Sequence, residues 1–183
     1  MTPEPHISPP LFPAKAIQQR VETIADEIAR DYGHGDFSVV AILKGGFIFT
    51  ADLIRALSLR DVHPIVDFVS LSSYGTQTTS SREVTMRQAL SLPVKGRRVL
   101  LIDDILDTGL TLQAARELLA KQGASDVRVC VLLDKPSRRQ VPVSPDYTGF
   151  QIENVFVVGY GLDYEHRFRE LPYLAILTTA TSS

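Results

Sequence analysis

Three acidic residues and two threonines crowd into residues 103–111, directly after an apolar run that ends at Ile102. The whole segment, residues 99–112, reads VLLIDDILDTGLTL. Its first half predicts a buried strand, and its second half adds carboxylates, hydroxyls and backbone N–H groups at the carboxyl end of that strand. Because open α/β sheets bind ligands at this end of their strands, the segment predicts a site for a sugar phosphate with a metal ion nearby.

The adjacent acids Asp103 and Asp104 are predicted to have different roles. Neighbouring strand residues point to opposite faces, so one carboxylate can reach a ligand while the other orients the loop. The alternative is a solvated strand end that happens to carry acids. A solvated strand end commonly carries one acid, but it explains less well three acids that are followed by Thr-Gly-x-Thr.

A turn built from Asp107, Thr108, Gly109 and Thr111 precedes a predicted helix. Glycine allows a close backbone approach or a positive φ, and the threonines offer hydroxyl and N–H donors to phosphate oxygens. The N-terminus of the following helix adds a positive end that favours anions. An ordinary helix cap is the alternative interpretation of the same residues.

The rest of the chain predicts the scaffold that positions this turn. Apolar periodicity alternates between helical and strand patterns, which favours one domain over residues 1–183 with a right-handed, mostly parallel α/β sheet flanked by helices. Helices are predicted over 14–30, 47–57 and 111–122, and strands over 37–43, 65–69, 99–102, 127–133, 155–158 and 174–177.

Composition narrows the class of protein. The net charge of −2 provides no general attraction for nucleic acid, and no apolar run is long enough to cross a bilayer. The single cysteine, Cys130, lies in an apolar run and indicates inert packing in a reducing cytoplasm. We find no secretory signal, and we expect the proline-rich residues 1–13 to be frayed.

Residues 72–87 are predicted to form a mobile lid. They include the polar stretch SSYGTQTTSSR, which is too long for an ordinary connection. On its flanks, Val69 and Leu71 on one side and Val84 and Met86 on the other alternate as the arms of a hairpin would. A passive loop is the alternative, but long idle loops are uncommon in compact domains.

The 99–112 segment resembles the phosphoribosyl-pyrophosphate motif of the type I phosphoribosyltransferases, which is a hydrophobic run, two acids and a loop of small and hydroxyl residues. The resemblance implies that Asp103 and Asp104 hold the two ribose hydroxyls of the donor. It also implies a small hood, built from the terminal segments, over the sheet. The implied 5-phosphate cradle consists of Asp107, Thr108, Gly109, Leu110 and Thr111.

Two details of this cradle follow from the same resemblance. The family gives the equivalent of Asp107 the role of general base, which makes it the candidate catalytic residue. Mammalian members carry lysine where this chain has Leu110, so a side-chain contact at that position is not expected here.

From Phe37 onward the chain resembles one branch of the family, the hypoxanthine-guanine phosphoribosyltransferases. Leu43-Lys44-Gly45-Gly46 is similar to that branch's pyrophosphate loop, which implies that Lys44 and Gly45 bind the leaving diphosphate. The branch often has a non-proline cis peptide at this lysine–glycine step, so we expect one at Lys44–Gly45. Ser73 and Tyr74 are similar to the Ser-Tyr pair of its closing loop.

The resemblance also implies a purine site in the second half of the chain. Lys135 would donate a hydrogen bond to the exocyclic oxygen of a 6-oxopurine, Phe156 would stack on its ring, and backbone groups of Val157 would read its Watson–Crick side. Asp163 would stand beside the purine and ligate Mg²⁺. Arg169 would contact the pyrophosphate.

The expected cofactor is therefore Mg²⁺. Its candidate protein ligands are Asp163, Asp103 and Asp104. Since magnesium keeps several waters and substrate oxygens in its shell, one protein carboxylate among these is sufficient.

The sequence thus predicts a purine salvage enzyme that transfers phosphoribosyl from phosphoribosyl pyrophosphate to hypoxanthine or guanine. The resemblance implies a homodimer or homotetramer, with neither nucleic acid nor membrane as a partner. Two alternatives stay open: a nucleotide-sensing regulator on the same fold, and a phosphoribosyltransferase for xanthine or another base. The implied purine-binding residues Lys135, Phe156 and Asp163 argue against a regulator, which has no need of all of them.

Overall fold

A computed structural model of the chain describes residues 5–73, 84–88 and 90–178. Within this part of the chain, no helix has both the length and the apolar character needed to span a membrane. The helices are α1 (Ala14–Tyr32), α2 (Phe47–Ser58) and α3 (Leu110–Lys121). The strands are β1 (His6–Phe12), β2 (Phe37–Leu43), β3 (Ile65–Ser73), β4 (Val84–Gln88), β5 (Arg98–Leu106), β6 (Asp126–Asp134), β7 (Tyr147–Gln151), β8 (Val157–Val158) and β9 (Leu174–Thr178).

The main sheet has the strand order β4-β3-β2-β5-β6-β7. All of its pairs are parallel except the one between β3 and β4. A second, antiparallel sheet has the order β1-β9-β8 and joins the two ends of the chain. This arrangement confirms the predicted mostly parallel α/β fold with a small hood made from the terminal segments.

The buried strand β2 shows why the sheet lies between helices. Side chains of Val39 and Ala41 pack in the same core as the buried faces of α1 and α2. Val40 and Ile42 point the other way and pack with the buried face of α3. Such a strand needs apolar residues on both faces, which is what the continuous apolar run FSVVAIL provides.

The N-terminal segment corrects one expectation. Residues 6–12 are not frayed, because they form β1 and pair with β9, with His6 opposite Thr178 and Pro10 opposite Ala175. Prolines cannot donate to a ladder and are confined to sheet edges, and β1 is an edge strand of the hood. The proline content therefore indicated an edge position and not disorder.

The hairpin predicted around the polar stretch is confirmed in its backbone. β3 and β4 pair antiparallel, with Leu71 opposite Met86 and Ser73 opposite Val84. Ser73 ends β3. Tyr74 and the remainder of the proposed lid up to residue 83 lie outside the described residues, so the lid stays a prediction.

A buried hydrogen bond joins the hood to the body of the protein. The Tyr160 hydroxyl donates to Oδ2 of Asp52 on α2 (2.5 Å). Tyr160 is 7% exposed, and burial raises the pKa of its hydroxyl, so that the hydroxyl stays protonated and remains a donor. The bond fixes the loop after β8 against the helix that follows β2.

Candidate active site

A cavity of about 340 Å³ lies at the carboxyl ends of β2 and β5 and at the start of α3. Its wall contains eight of the residues that the sequence predicted for donor binding. They are Lys44, Gly45, Asp103, Asp104, Asp107, Thr108, Gly109 and Thr111. Leu110 begins α3 beside them but is not part of this wall.

The two adjacent aspartates lie inside β5, not after it as we expected, because this strand continues to Leu106. Asp103 is 7% exposed, and its Oδ1 accepts from the backbone N–H of Asp104 (2.9 Å). The carboxylate of Asp104 accepts from the backbone N–H of Ile105 (2.9 Å). These bonds fix the orientation of both carboxylates at the end of the strand.

Burial raises the pKa of both carboxyl groups. The pKa of Asp103 is raised further by the charge of Asp104, whereas the positive charge of Arg169 opposes the rise at Asp104. Carboxyl groups whose pKa is raised in this way are stabilised in the charged form by hydroxyl donors or a cation. A polyhydroxylated, metal-bearing ligand would supply both.

Glycines allow the loop after β2 to lie directly against these acids. A Cβ on Gly45 would overlap the Asp104 carboxylate, and a Cβ on Gly161 would overlap the carbonyl oxygen of Gly45. The non-proline cis peptide in this loop is Leu43–Lys44, one bond earlier than the predicted Lys44–Gly45. The Lys44 side chain is exposed.

The turn before α3 has the geometry of an anion site. Gly109 has φ of +87°, and a Cβ there would press on the Val141 side chain. The helix begins without a side-chain cap, and the Thr108 hydroxyl lies 3.5 Å from the backbone nitrogen of Leu110. Since the first N–H groups of a helix have no partner within it, they are available to a phosphate.

A second group of charges stands at the end of β6. Lys135 is 8% exposed, and burial lowers the pKa of its ammonium. The charge of Asp107 opposes this shift, and that of Arg138 adds to it. Arg138 Nε also donates to Asp107 Oδ1 (3.2 Å). Lys135 and Asp107, predicted for base recognition and catalysis, therefore lie close enough to affect one another.

Arg139 is a residue that sequence reasoning missed. The loop Ser137-Arg138-Arg139 reads as a solvated basic segment, yet the Arg139 guanidinium is 18% exposed and lies within the fold. It donates to the carbonyl oxygens of Leu106 (3.0 Å) and Asp107 (2.6 Å) and to the Asp134 carboxylate. Nothing in the local sequence distinguishes it from its neighbour Arg138.

The hood carries the remaining predicted residues. Phe156 is 50% exposed and meets Tyr164 edge to face, with ring centroids 5.8 Å apart. Val157 is buried in β8, where it pairs with Ile176 of β9. An exposed aromatic face beside a fixed strand can stack on a flat ligand.

Asp163 and Arg169 form an ion pair on the same hood. Arg169 Nη2 lies 2.6 Å from Asp163 Oδ1, and Nη1 donates to the carbonyl oxygen of Gly161 (2.6 Å). The other Asp163 oxygen accepts from the backbone N–H of His166 (2.8 Å). Because Gly161 packs on Gly45, this pair lies next to the wall of the cavity that Lys44 and Gly45 form.

The residues fit a magnesium ion that is carried partly by a substrate. Among the described residues no three His, Cys, Asp or Glu side chains cluster as a metal cage, so the predicted ligands Asp163, Asp103 and Asp104 are not brought together as one set. Carboxylate oxygens are the donors that Mg²⁺ prefers, and it usually binds one or two of them together with water and phosphate oxygens.

Comparison with known proteins agrees with this geometry. Residues 11–165 match the phosphoribosyl transferase domain. The chain is 40% identical over 170 residues to the hypoxanthine-guanine phosphoribosyltransferase of Bacillus subtilis (strain 168), covering 93% of each chain. It is 39% identical over 166 residues to the hypoxanthine phosphoribosyltransferase of Escherichia coli (strain K12), covering 90% of this chain and 92% of that one.

The fold matches solved structures as well. A crystal structure of a hypoxanthine-guanine phosphoribosyltransferase from Bacillus anthracis aligns with a TM-score of 0.88 at 34% identity, over 96% of this chain and 100% of that chain. Sequence motif, site geometry and both comparisons therefore place the chain in the phosphoribosyl transferase family, within the branch of the hypoxanthine-guanine phosphoribosyltransferases.

Proposed function

We propose that this protein transfers the 5-phosphoribosyl group of phosphoribosyl pyrophosphate to hypoxanthine or guanine, giving IMP or GMP and pyrophosphate in purine salvage. The observation that carries the proposal is that a candidate sugar-phosphate site and a candidate purine site lie side by side at one end of the sheet. The paired aspartates and the uncapped turn suit a sugar phosphate, and the buried Lys135 at the next strand suits a purine oxygen.

The donor is bound by residues of the cavity wall and the hood. Asp103 and Asp104 accept hydrogen bonds from the ribose hydroxyls, and residues 107–111 bind the 5-phosphate through backbone N–H and hydroxyl groups. Lys44, the Gly45 backbone and Arg169 neutralise the diphosphate. Either Asp163 or the Asp103–Asp104 pair would hold Mg²⁺, which when bound offsets the charge of the leaving diphosphate.

The base is recognised by its 6-oxo group. Lys135 donates to this oxygen, Phe156 stacks on the ring, and backbone groups of Val157 contact the Watson–Crick edge. Adenine presents an amino donor at the same position, so that two donors would face each other without an acceptor. Such unpaired buried polar groups discriminate strongly between bases.

In the transfer step the bond between the anomeric carbon and the diphosphate oxygen breaks, and both electrons leave with pyrophosphate. The ring nitrogen of the base forms the new bond to that carbon and gives up its proton. Asp107, beside Lys135, takes this proton and stabilises the positive charge that develops on the sugar. The reaction requires no covalent enzyme intermediate.

The proposal extends to the setting of the enzyme. We expect a cytoplasmic homodimer or homotetramer that needs neither nucleic acid nor membrane. The single cysteine is consistent with a reducing compartment, because Cys130 is buried and burial raises the pKa of its thiol.

A spectrophotometric assay with four bases tests the proposal. Phosphoribosyl pyrophosphate and Mg²⁺ are mixed with hypoxanthine, guanine, xanthine or adenine, and nucleotide formation is followed. We expect turnover with hypoxanthine or guanine and none with adenine. Turnover with adenine or xanthine alone would indicate an enzyme for another base. No turnover with any base would favour a nucleotide-sensing protein.

A further inference from the structure

Two loops from neighbouring strands are joined into one unit at the active site. The backbone N–H of Lys135 donates to the carbonyl oxygen of Leu106 (3.0 Å), and that of Gln140 donates to the carbonyl oxygen of Thr108 (2.9 Å). Val141 packs where a Cβ on Gly109 would lie. The loop that carries the purine lysine and the loop that carries the phosphate turn therefore cannot move independently.

Arg139 is the side chain that ties these loops together. One of its nitrogens, Nη1, reaches both the Leu106 and the Asp107 carbonyl oxygens. The other, Nη2, pairs with Asp134. Asp107 supplies one of these carbonyl oxygens, and Lys135 directly follows Asp134 in the chain. Under the proposed function, the side chains of Asp107 and Lys135 act on one base from neighbouring strands.

We propose that Arg139 is a positioning residue that holds Asp107 and Lys135 at the separation needed to act on one purine. This inference rests on the proposed function. Only a planar guanidinium offers two separate nitrogens in a fixed fork. Such a fork is required to reach the Leu106 carbonyl on β5, the Asp107 carbonyl just after it and the Asp134 carboxylate on β6. A lysine keeps the charge beside Asp134 but has a single nitrogen, so it loses the fork.

Loss of Arg139 has two expected consequences that must be separated. It leaves the buried Asp134 carboxylate, 4% exposed, without its cation, and an uncompensated buried charge destabilises the fold. It also releases Asp107 and Lys135 from one another. A control variant must therefore lose an equivalent set of bonds away from the active site.

Arg20 on α1 provides that control. Its guanidinium donates to the carbonyl oxygens of Thr148 and Gly149 and pairs with Glu27. Its side chain is 28% exposed, against 18% for Arg139. Arg20→Met thus removes two carbonyl contacts to β7, which carries no residue of the proposed site, and one carboxylate contact within α1.

The experiment compares Arg139→Met, Arg139→Lys and Arg20→Met with the wild type. For both Arg139 variants, kcat/KM for hypoxanthine should fall about 100-fold, because displacing catalytic groups by about 1 Å costs this much. Their Kd for the Mg²⁺-loaded donor, measured by calorimetry, should change less than about threefold, since α3 still presents the phosphate turn. Arg20→Met should lower the melting temperature while kcat/KM stays within about threefold of wild type.

Each outcome decides the matter. Arg139 variants that keep kcat/KM within the range of Arg20→Met would show that Arg139 is only structural. An equal loss of donor affinity and turnover would also overturn the proposal, since it would indicate general damage to the site. If Arg139→Met does not fold, Arg139→Lys alone decides, because it retains the charge that Asp134 needs. Inactivity of the wild type with every base would instead refute the proposed function.

Discussion

The Asp104 carboxylate lies against Gly45, in the space that a Cβ on this residue would occupy. The acid that we propose for the sugar and the loop that we propose for the diphosphate are therefore in direct contact, with no room for a side chain between them. Under the proposed function, this contact brings the loop that binds the leaving diphosphate close to the sugar.

Replacing Gly45 by alanine should weaken donor binding. The added methyl must displace the Asp104 carboxylate, and overpacking of this kind costs about 1–3 kcal/mol. We expect the Kd for phosphoribosyl pyrophosphate to rise at least about tenfold, as measured by calorimetry. Gly96→Ala is the control, because it adds a methyl in open space at a positive φ of +74°. Equal donor affinity in both variants would contradict the packing argument.

Asp107→Asn should lower kcat far more than it raises KM. The amide keeps the shape of the side chain but cannot take the proton of the base, and loss of a general base costs about 10²–10⁴ in rate. Steady-state kinetics with hypoxanthine would measure the effect. Asp26→Asn, which breaks an ion pair with Arg60 far from the site, should leave kcat unchanged. Normal turnover in Asp107→Asn would refute the assignment.

The pH profile of kcat/KM for hypoxanthine should show an alkaline limb that reports Lys135. Burial lowers the pKa of this lysine, so the proton that the purine oxygen needs is lost below the usual lysine value of about 10.4. Arg138 contributes to the lowering and Asp107 opposes it. Arg138→Met should therefore move the limb to higher pH. A limb that stays in place would show that another group titrates.

Phe156→Ala should weaken base binding without destabilising the protein. The ring is half exposed and free to stack, and aromatic pairing contributes about 0.5–1.5 kcal/mol. We expect KM for hypoxanthine to rise up to about tenfold, with kcat and the melting temperature close to wild type. Leu59→Ala, at a side chain that is 83% exposed at the end of α2, provides the comparison. A large loss of thermal stability would identify Phe156 as a core residue instead.

The sequence predicted that Asp103, Asp104 and the turn at 107–111 lie together, because these signals are local. A continuous apolar run begins β5, the two acids lie within this strand and the turn follows it, so chain order alone brings them together. β1 was missed because its prolines resemble those of a frayed end. β7 was missed because Gly149 interrupts a strand of five residues.

Contacts that depend on loop conformation or on strand register could not be predicted in this way. The Asp163–Arg169 pair depends on a loop with positive φ at Glu165, His166 and Phe168. These residue types do not predict such a conformation. The role of Arg139 depends on two strands lying side by side. Predicting this role requires knowledge of which strands pair and in which register, and the periodicity of apolar residues in the sequence does not give that information.

Calorimetric titration of the protein with Mg²⁺-loaded phosphoribosyl pyrophosphate tests the donor site most directly. We expect exothermic binding of one donor per chain by the wild type. In the Asp103→Asn, Asp104→Asn double variant, affinity should fall more than about tenfold, because amides replace two charged acceptors of the ribose hydroxyls. No heat of binding with the wild type, or equal affinity in the double variant, would contradict the assignment of these two aspartates to the sugar.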